Sequence, residues 1–310
     1  MIKYVSQKSG QFSVEPGQDF EHSDIIWIDL FAPTAEEMAK VENAFGVELF
    51  TPQESEEIES SSKFSESDNE IGINMNFLRT ENGNHSNDPV SFILKKDLLV
   101  TQRAFEYKTF SDTYYKIRYV KPKNGIDIFL TLLEIRIDFD ADYIENITDR
   151  ITKIGKDMVK ENDPERELLL KISAFQESTI AIRENIVEKQ RILSASLKSK
   201  FFEKENLQTI QVMIKDVGSL LDHTSFNFER LEFMQNTFLG LVDMEQNRII
   251  KIFTVVTVIF MPPTLIASMY GMNFQFMPEL DEEWGYPLAI LLMVLSSIFT
   301  LLFFKRKQWL

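Results

Sequence analysis

The chain has 310 residues, no cysteine, three histidines and a formal net charge of −15. Without cysteine there is no disulfide, no thiol nucleophile and no zinc site built on thiolates. An acidic excess of this size speaks against nucleic acid as a partner and suits cations, while 44% hydrophobic residues suffice for a core and exclude global disorder.

In chain order, residues 1–122 read as a mixed α/β domain. Ile25, Ile26, Trp27 and Ile28 form a buried strand, followed by a turn at Pro33 and a helix from Thr34 to near Gly46. Thr51, Pro52 and Glu54 have the order of an N-cap, a first-turn proline and a capping-box acid. Ile71, Ile73, Met75 and Phe77 alternate with Gly72, Asn74 and Asn76, the period of a half-buried strand. Two further strands are expected at Val90–Leu94 and Asp97–Thr101, joined by Lys95 and Lys96.

From Ile126 the pattern becomes helical. Residues 123–200 are expected to form a helical hairpin, broken at Asn162, Asp163 and Pro164. A third helix begins near Glu203. With no proline between 165 and 261 it can run through residues 201–271 as a stalk that continues into the first apolar run. Leu207, Ile210, Ile214, Val217, Leu221, Thr224, Phe228, Leu231, Gln235, Phe238 and Val242 repeat at 3-4 spacing, the period of a helix packed along its length. Whether it packs within its own subunit or against a neighbouring copy stays open at this point.

Two uncharged runs follow, Ile252–Tyr270 of 19 residues and Pro287–Phe304 of 18. Each is long enough to cross a hydrocarbon core of ~30 Å. Arg248 and Lys251 precede the first run, and Lys305, Arg306 and Lys307 follow the second in a basic tail, 305–310. The connecting loop, 272–286, carries Glu279, Asp281, Glu282 and Glu283 and no Lys or Arg. The positive-inside rule therefore puts both termini in the cytoplasm and the loop outside, with Trp284, Tyr286 and Trp309 at the interfaces.

On the first span, Asn247, Ile250, Thr254, Thr257, Met261, Thr264 and Ser268 fall on one face, and five of the seven are small polar residues. Such a stripe serves helix packing in membranes, or lines a water-filled path built from several copies. Two spans per subunit cannot enclose such a path alone. Pro262 and Pro263 free backbone carbonyls mid-membrane. No phosphate-binding loop, dinucleotide fingerprint, HExxH or GxSxG motif is present, and His22, His85 and His223 stand isolated in the sequence, so an enzyme is not expected. The acidic run Glu54, Glu56, Glu57 and Glu59 is either a solvated helix face or a source of oxygen ligands for a divalent cation.

Tyr270-Gly271-Met272-Asn273 closes the first span. It is followed by Phe274-Gln275-Phe276-Met277-Pro278-Glu279-Leu280, Trp284-Gly285-Tyr286-Pro287 and a terminal Lys305-Arg306-Lys307. Upstream stand Glu245-Gln246-Asn247-Arg248, Met261-Pro262-Pro263-Thr264-Leu265, Trp27-Ile28-Asp29-Leu30 and Glu56-Glu57-Ile58-Glu59. Together these resemble the CorA magnesium/cobalt transporter family, in the branch with the slightly shorter stalk.

The resemblance implies an α+β cytosolic domain, a long helical stalk and two C-terminal transmembrane helices, assembled as a funnel-shaped homopentamer in a bacterial inner membrane. It implies Mg2+ influx driven by membrane potential and gated by cytosolic Mg2+, with Co2+ or Ni2+ as alternative substrates. Gly271, Met272 and Asn273 then form the selectivity ring, the seven polar-face positions line the pore, and Ile250, Phe253 and Met261 form a gate. Glu56 and Glu57 supply a regulatory metal site, with Asp216 and Asp222 as candidate stalk partners. A zinc- or cobalt-preferring transporter of the same fold, with proton coupling open, is the alternative; a membrane-anchored sensor or scaffold is a remote one.

Overall fold

The computed structural model describes residues 1–8, 11–16, 24–55, 63–81, 84–157, 165–273, 275 and 277–307. The chain divides into two units, Met1–Gln235 and Asn236–Leu310.

The first unit is built on a seven-stranded sheet. Its strands are β1 (Ile2–Lys8), β2 (Gln11–Pro16), β3 (Ile25–Phe31), β4 (Phe64–Glu66), β5 (Ile71–Glu81), β6 (Asn84–Lys95) and β7 (Leu98–Arg103). The order is β2-β1-β3-β7-β6-β5-β4. Among the described residues only β3 and β7 pair in parallel. β1, β2 and β4 were not expected from the sequence. β2 and β4 are edge strands with a single partner each, so neither has the continuous apolar run that marks a central strand. β6 is longer than expected because it continues through Pro89. Its pairing with β7 stops at Val90, and residues 84–89 pair with β5 alone, the edge setting in which proline is tolerated.

Helix α1 (Ala35–Phe45) has the anticipated start and stop. Thr34 and Glu37 form a reciprocal capping box, and Gly46 closes the helix at φ +62°, a left-handed conformation that favours glycine. The short α2 (Pro52–Ser55) carries the Thr51–Glu54 box. Helix α3 (Lys108–Val120) was not expected: its buried face is Thr109, Phe110, Thr113 and Ile117, so half of its helical period is written in threonine. α4 (Gly125–Asp157) and α5 (Glu165–Ser196) follow. The break at Asn162, Asp163 and Pro164 lies outside the described residues.

Two buried ionic networks tie these elements together. Asp29 on β3 takes both nitrogens of a fork from Arg103 on β7, at 3.1 and 2.9 Å, with side-chain exposures of 0% and 2%. Tyr114 on α3 and Thr101 complete its shell at 2.9 Å each, and the Tyr114 ring stacks on Trp27 at 4.4 Å. Burial, and then the Asp29 carboxylate, drive the Tyr114 hydroxyl far above its ordinary pKa. In the second network Asp140 on α4 meets Arg136 at 2.5 Å and Lys189 on α5 at 2.9 Å. Two cations therefore share one carboxylate, and burial lowers the Lys189 amine to about 8. The neighbouring Glu188 binds Lys63 at 2.6 Å and the backbone N–H of Asn76 at 2.7 Å.

Helix α6 (Lys204–Tyr270) is 67 residues long. Its buried seam in the first unit is Ile210, Met213, Val217, Thr224, Asn227, Leu231 and Met234. Half of the expected register holds, since Ile210, Val217, Thr224 and Leu231 are inside. The alternate positions are displaced by one residue: Met213, Asn227 and Met234 replace Ile214, Phe228 and Gln235. The polar seam member has a partner, because Asn227 donates to Thr148 on α4 at 2.8 Å. Met234 covers Gly155 of α4, where an added Cβ would stand 3.7 Å from its sulfur. This seam thus packs within the subunit, and Val212, Phe226 and Phe233 remain 57%, 59% and 71% exposed.

The second unit holds the end of α6, a 3-10 turn at Pro278–Leu280 and α7 (Gly285–Arg306). α6 and α7 are both long and apolar enough to cross a membrane. Lys305 and Arg306 lie in the last turn of α7, where cations suit the helix dipole.

Candidate ion pathway

Along the span of α6, Asn247, Ile250, Thr254, Thr257, Met261, Thr264 and Ser268 are all exposed. The buried or half-buried positions are different ones: Val255, Val258, Ile259, Pro262, Pro263, Ile266 and Tyr270. At 3.6 residues per turn the two stripes lie about 160° apart. This chain leaves the polar face uncovered, as it does the apolar Ile252, Phe253, Val256, Phe260, Leu265 and Met269; what sets the face apart is its small polar residues.

Its hydroxyls have a fixed polarity. Thr254 donates to the carbonyl of Ile250 at 2.8 Å, Thr257 to Phe253 at 2.8 Å and Thr264 to Phe260 at 2.7 Å. Each proton is committed to the helix, so the oxygens present lone pairs outward. The face offers acceptors, which complement the outward O–H groups of a hydrated cation. Ile250, Phe253 and Met261 are 54%, 68% and 61% exposed. Phe253 lies at the flank of this face, about 60° from its centre.

α6 ends where Gly271 N–H reaches the Ala267 carbonyl at 3.0 Å and Met272 N–H reaches Met269 at 3.3 Å. Gly271, Met272 and Asn273 then stand exposed beyond the last helical turn, as do Glu279, Asp281, Glu282 and Glu283. Phe274 and Phe276 lie outside the described residues.

The expected regulatory residues are Glu56, Glu57, Asp216 and Asp222. Glu56 and Glu57 lie outside the described residues. Asp216 and Asp222 are exposed, and six residues apart on a helix they point about 120° from each other. Among the described residues no group of three or more acidic or histidine side chains has the arrangement of a metal site. The structure does set Asp216 near Asp138 of α4. Burial first, then Glu134, and to a lesser extent Asp142 and Asp216, raise the Asp138 carboxyl above its ordinary pKa. The sequence signal was present in the i, i+4, i+8 spacing of Glu134, Asp138 and Asp142, a line of like charge on one helix face. His85 is not isolated either: its ring bonds the Tyr143 hydroxyl at 2.7 Å, and burial lowers its pKa.

Comparison with known proteins agrees with this geometry. The family described as "CorA-like Mg2+ transporter protein" matches residues 22–306. A protein of Wolinella succinogenes named "Magnesium transport protein CorA" is 40% identical over 296 residues, covering 93% of this chain and 92% of its own. A protein of the same name from Campylobacter jejuni is 37% identical over 301 residues, again covering 93% and 92%. In fold, the chain is similar to the complete CorA magnesium transporter of Methanocaldococcus jannaschii. The TM-score is 0.86 at 21% identity, over 100% of this chain and 99% of the other. The chain belongs to the CorA-like Mg2+ transporter family.

Proposed function

We propose that this chain is one subunit of a homopentameric divalent-cation channel that admits Mg2+ through a bacterial cytoplasmic membrane, with both termini in the cytoplasm. The observation that carries the reading is the uncovered face of α6: seven exposed positions, opposite a half-buried stripe, with threonine protons turned inward and acceptors outward. Two spans cannot enclose water, so the face becomes a pore lining only when copies assemble around it.

Mg2+ holds its waters tightly. A ring of neutral Asn273 amides with the Gly271 and Met272 carbonyls binds that shell weakly enough to release it, whereas bare carboxylates would hold the ion. Glu279, Asp281, Glu282 and Glu283 concentrate cations at the mouth. Inward passage of a divalent ion gains about 4.6 kcal/mol per 100 mV, so the membrane potential suffices as the driving force. Ile250, Phe253 and Met261 form a constriction that closes by dewetting. Cytosolic Mg2+ at Glu56 and Glu57, bridged to Asp216 or Asp222 of a neighbouring stalk, favours closure by binding the closed state more tightly. Co2+ and Ni2+, of similar size and hydration, are further substrates.

The test is uptake by purified protein in liposomes under an imposed voltage, comparing Mg2+, Co2+, Ni2+ and Zn2+, with and without a pH gradient. Voltage-driven Mg2+ entry that is indifferent to the proton gradient is expected. Zn2+ entry that follows the proton gradient would replace this reading with that of a proton-coupled zinc transporter. No flux of any metal would leave an anchored scaffold.

A further inference from the structure

We infer that Gly285 is the positioning residue of the external mouth: lacking a side chain, it lets the Glu279 backbone seat on the first turn of α7, so that the Glu279 carboxylate is held by the second span. The inference rests on the channel reading above, in which residues 271–286 face the side from which the cation is taken up.

Gly285 is buried, whereas Glu283, Trp284 and Tyr286 around it are exposed. A Cβ at this position would stand 1.9 Å from the Glu279 carbonyl oxygen and 3.1 Å from its carbon. The obstruction is backbone, which cannot rotate aside as a flexible side chain can. An ordinary carbon–oxygen contact is ~3.3 Å, so the Glu279 peptide would have to retreat by about 1.4 Å. Gly46 is the one glycine with positive φ among the described residues. What position 285 requires is therefore space rather than an unusual backbone angle.

The loop has little slack to absorb such a retreat. Leu280 N–H bonds Met277 at 3.1 Å, Asp281 N–H bonds Pro278 at 3.4 Å and Gly285 N–H bonds Glu282 at 3.0 Å. Pro278 at the start of the turn has a fixed φ. From the 3-10 turn to α7 the chain is a run of short hydrogen-bonded turns, and Glu279 is the acid within the first of them. Moving its peptide moves the carboxylate. If five such carboxylates draw cations towards Asn273, their placement sets how well the mouth captures Mg2+ when it is scarce. It has little bearing on the rate once the mouth is saturated.

The test measures Mg2+ uptake into liposomes against external Mg2+ for the native protein, Gly285→Ala, Glu279→Gln and the double variant. Gly285→Ala is expected to raise the half-saturating Mg2+ concentration about fivefold, with the saturating rate changed by less than about twofold. Glu279→Gln does the same, and the double variant is no worse than the weaker single one, because both remove one placed carboxylate. Three results would overturn the assignment: native behaviour of Gly285→Ala, additive effects in the double variant, or a lower saturating rate at unchanged half-saturation.

A second arm does not depend on that variant assembling. The chain has no cysteine, so Glu279→Cys carries a nitroxide at one position in otherwise native protein. A motionally restricted spectrum is expected, and a freely tumbling label overturns the proposal. A native protein that moves no Mg2+ overturns the channel reading and this inference together. Native flux with an unaltered Gly285→Ala overturns this inference alone.

Discussion

Between Met1 and Gln235 a core of large side chains is closed: Trp27, Phe77, Phe92, Phe110 and Phe129 are fully buried, and the pairs Asp29–Arg103 and Asp140–Lys189 are buried with them. Between Asn236 and Leu310 comparable side chains stand outside, with Phe253 at 68%, Phe260 at 63%, Leu265 at 63% and Phe299 at 73% exposure. Of the most apolar windows of α6 and α7, only 6% and 17% are buried by this chain. The first region finds its solvent-free interior within one subunit. The second leaves most of its apolar surface uncovered by this chain, with one polar stripe running along it. Stability and conduction should therefore respond to different residues.

The largest expected effect falls on the first region. Asp29→Ala strands the Arg103 guanidinium in a dry interior and should cost about 3–5 kcal/mol, read as a loss of chemical stability in detergent. A cost below ~1 kcal/mol would mean that water reaches the pair. Asn273→Ala sharpens the comparison from the other side. Flux is expected to fall by about 100-fold, the scale of removing a few kcal/mol of ion coordination, while thermal stability and assembly stay unchanged. Unchanged uptake would overturn the proposed placing of Asn273 in a selectivity ring.

Lys189→Met should stabilise the first region by about 1–3 kcal/mol at pH 7, since Asp140 keeps Arg136 and the surplus buried cation is gone. Folding lowers the lysine pKa from 10.5 to about 8. The protonated amine is thus the form that the fold disfavours, and the penalty is complete below pH 8. The advantage of Lys189→Met should shrink between pH 8 and 10.5. An advantage that grew with pH would contradict the assignment.

The smallest effect is expected at Asp138. Folding raises its pKa above 3.8, so the ionised carboxylate is disfavoured and the penalty disappears as pH falls through the folded value. Asp138→Asn should raise the melting temperature slightly at pH 7 and leave it unchanged near pH 3.5.

How much of this was legible beforehand follows the same division. The helix start at Thr34, the Gly46 stop, the Thr51–Glu54 box and the alternation through Ile71–Phe77 depend on neighbours in sequence, and each is where the residues place it. The two apolar runs and the polar stripe were equally plain, because a membrane span is read from length and period alone. What the sequence hid depends on partners that no local pattern names. β2 and β4 exist because an edge was there to pair with. α3 buries Thr109 and Thr113, which no count of apolar residues would select. The α6 seam runs through Asn227 rather than Phe228 because Thr148, 79 positions earlier, supplies the hydrogen bond. The close approach at Gly285 is likewise invisible until the Glu279 carbonyl is in place.

The central claim, that one face of α6 meets water, can be measured residue by residue. The chain is free of cysteine, so single cysteines placed from 247 to 270 report accessibility to a membrane-impermeant thiol reagent in liposomes. The account predicts reaction at 247, 250, 254, 257, 261, 264 and 268, slowed by Mg2+, and little at 255, 259, 262 and 266. Reaction along the second set, or equal reaction at every position, would contradict it.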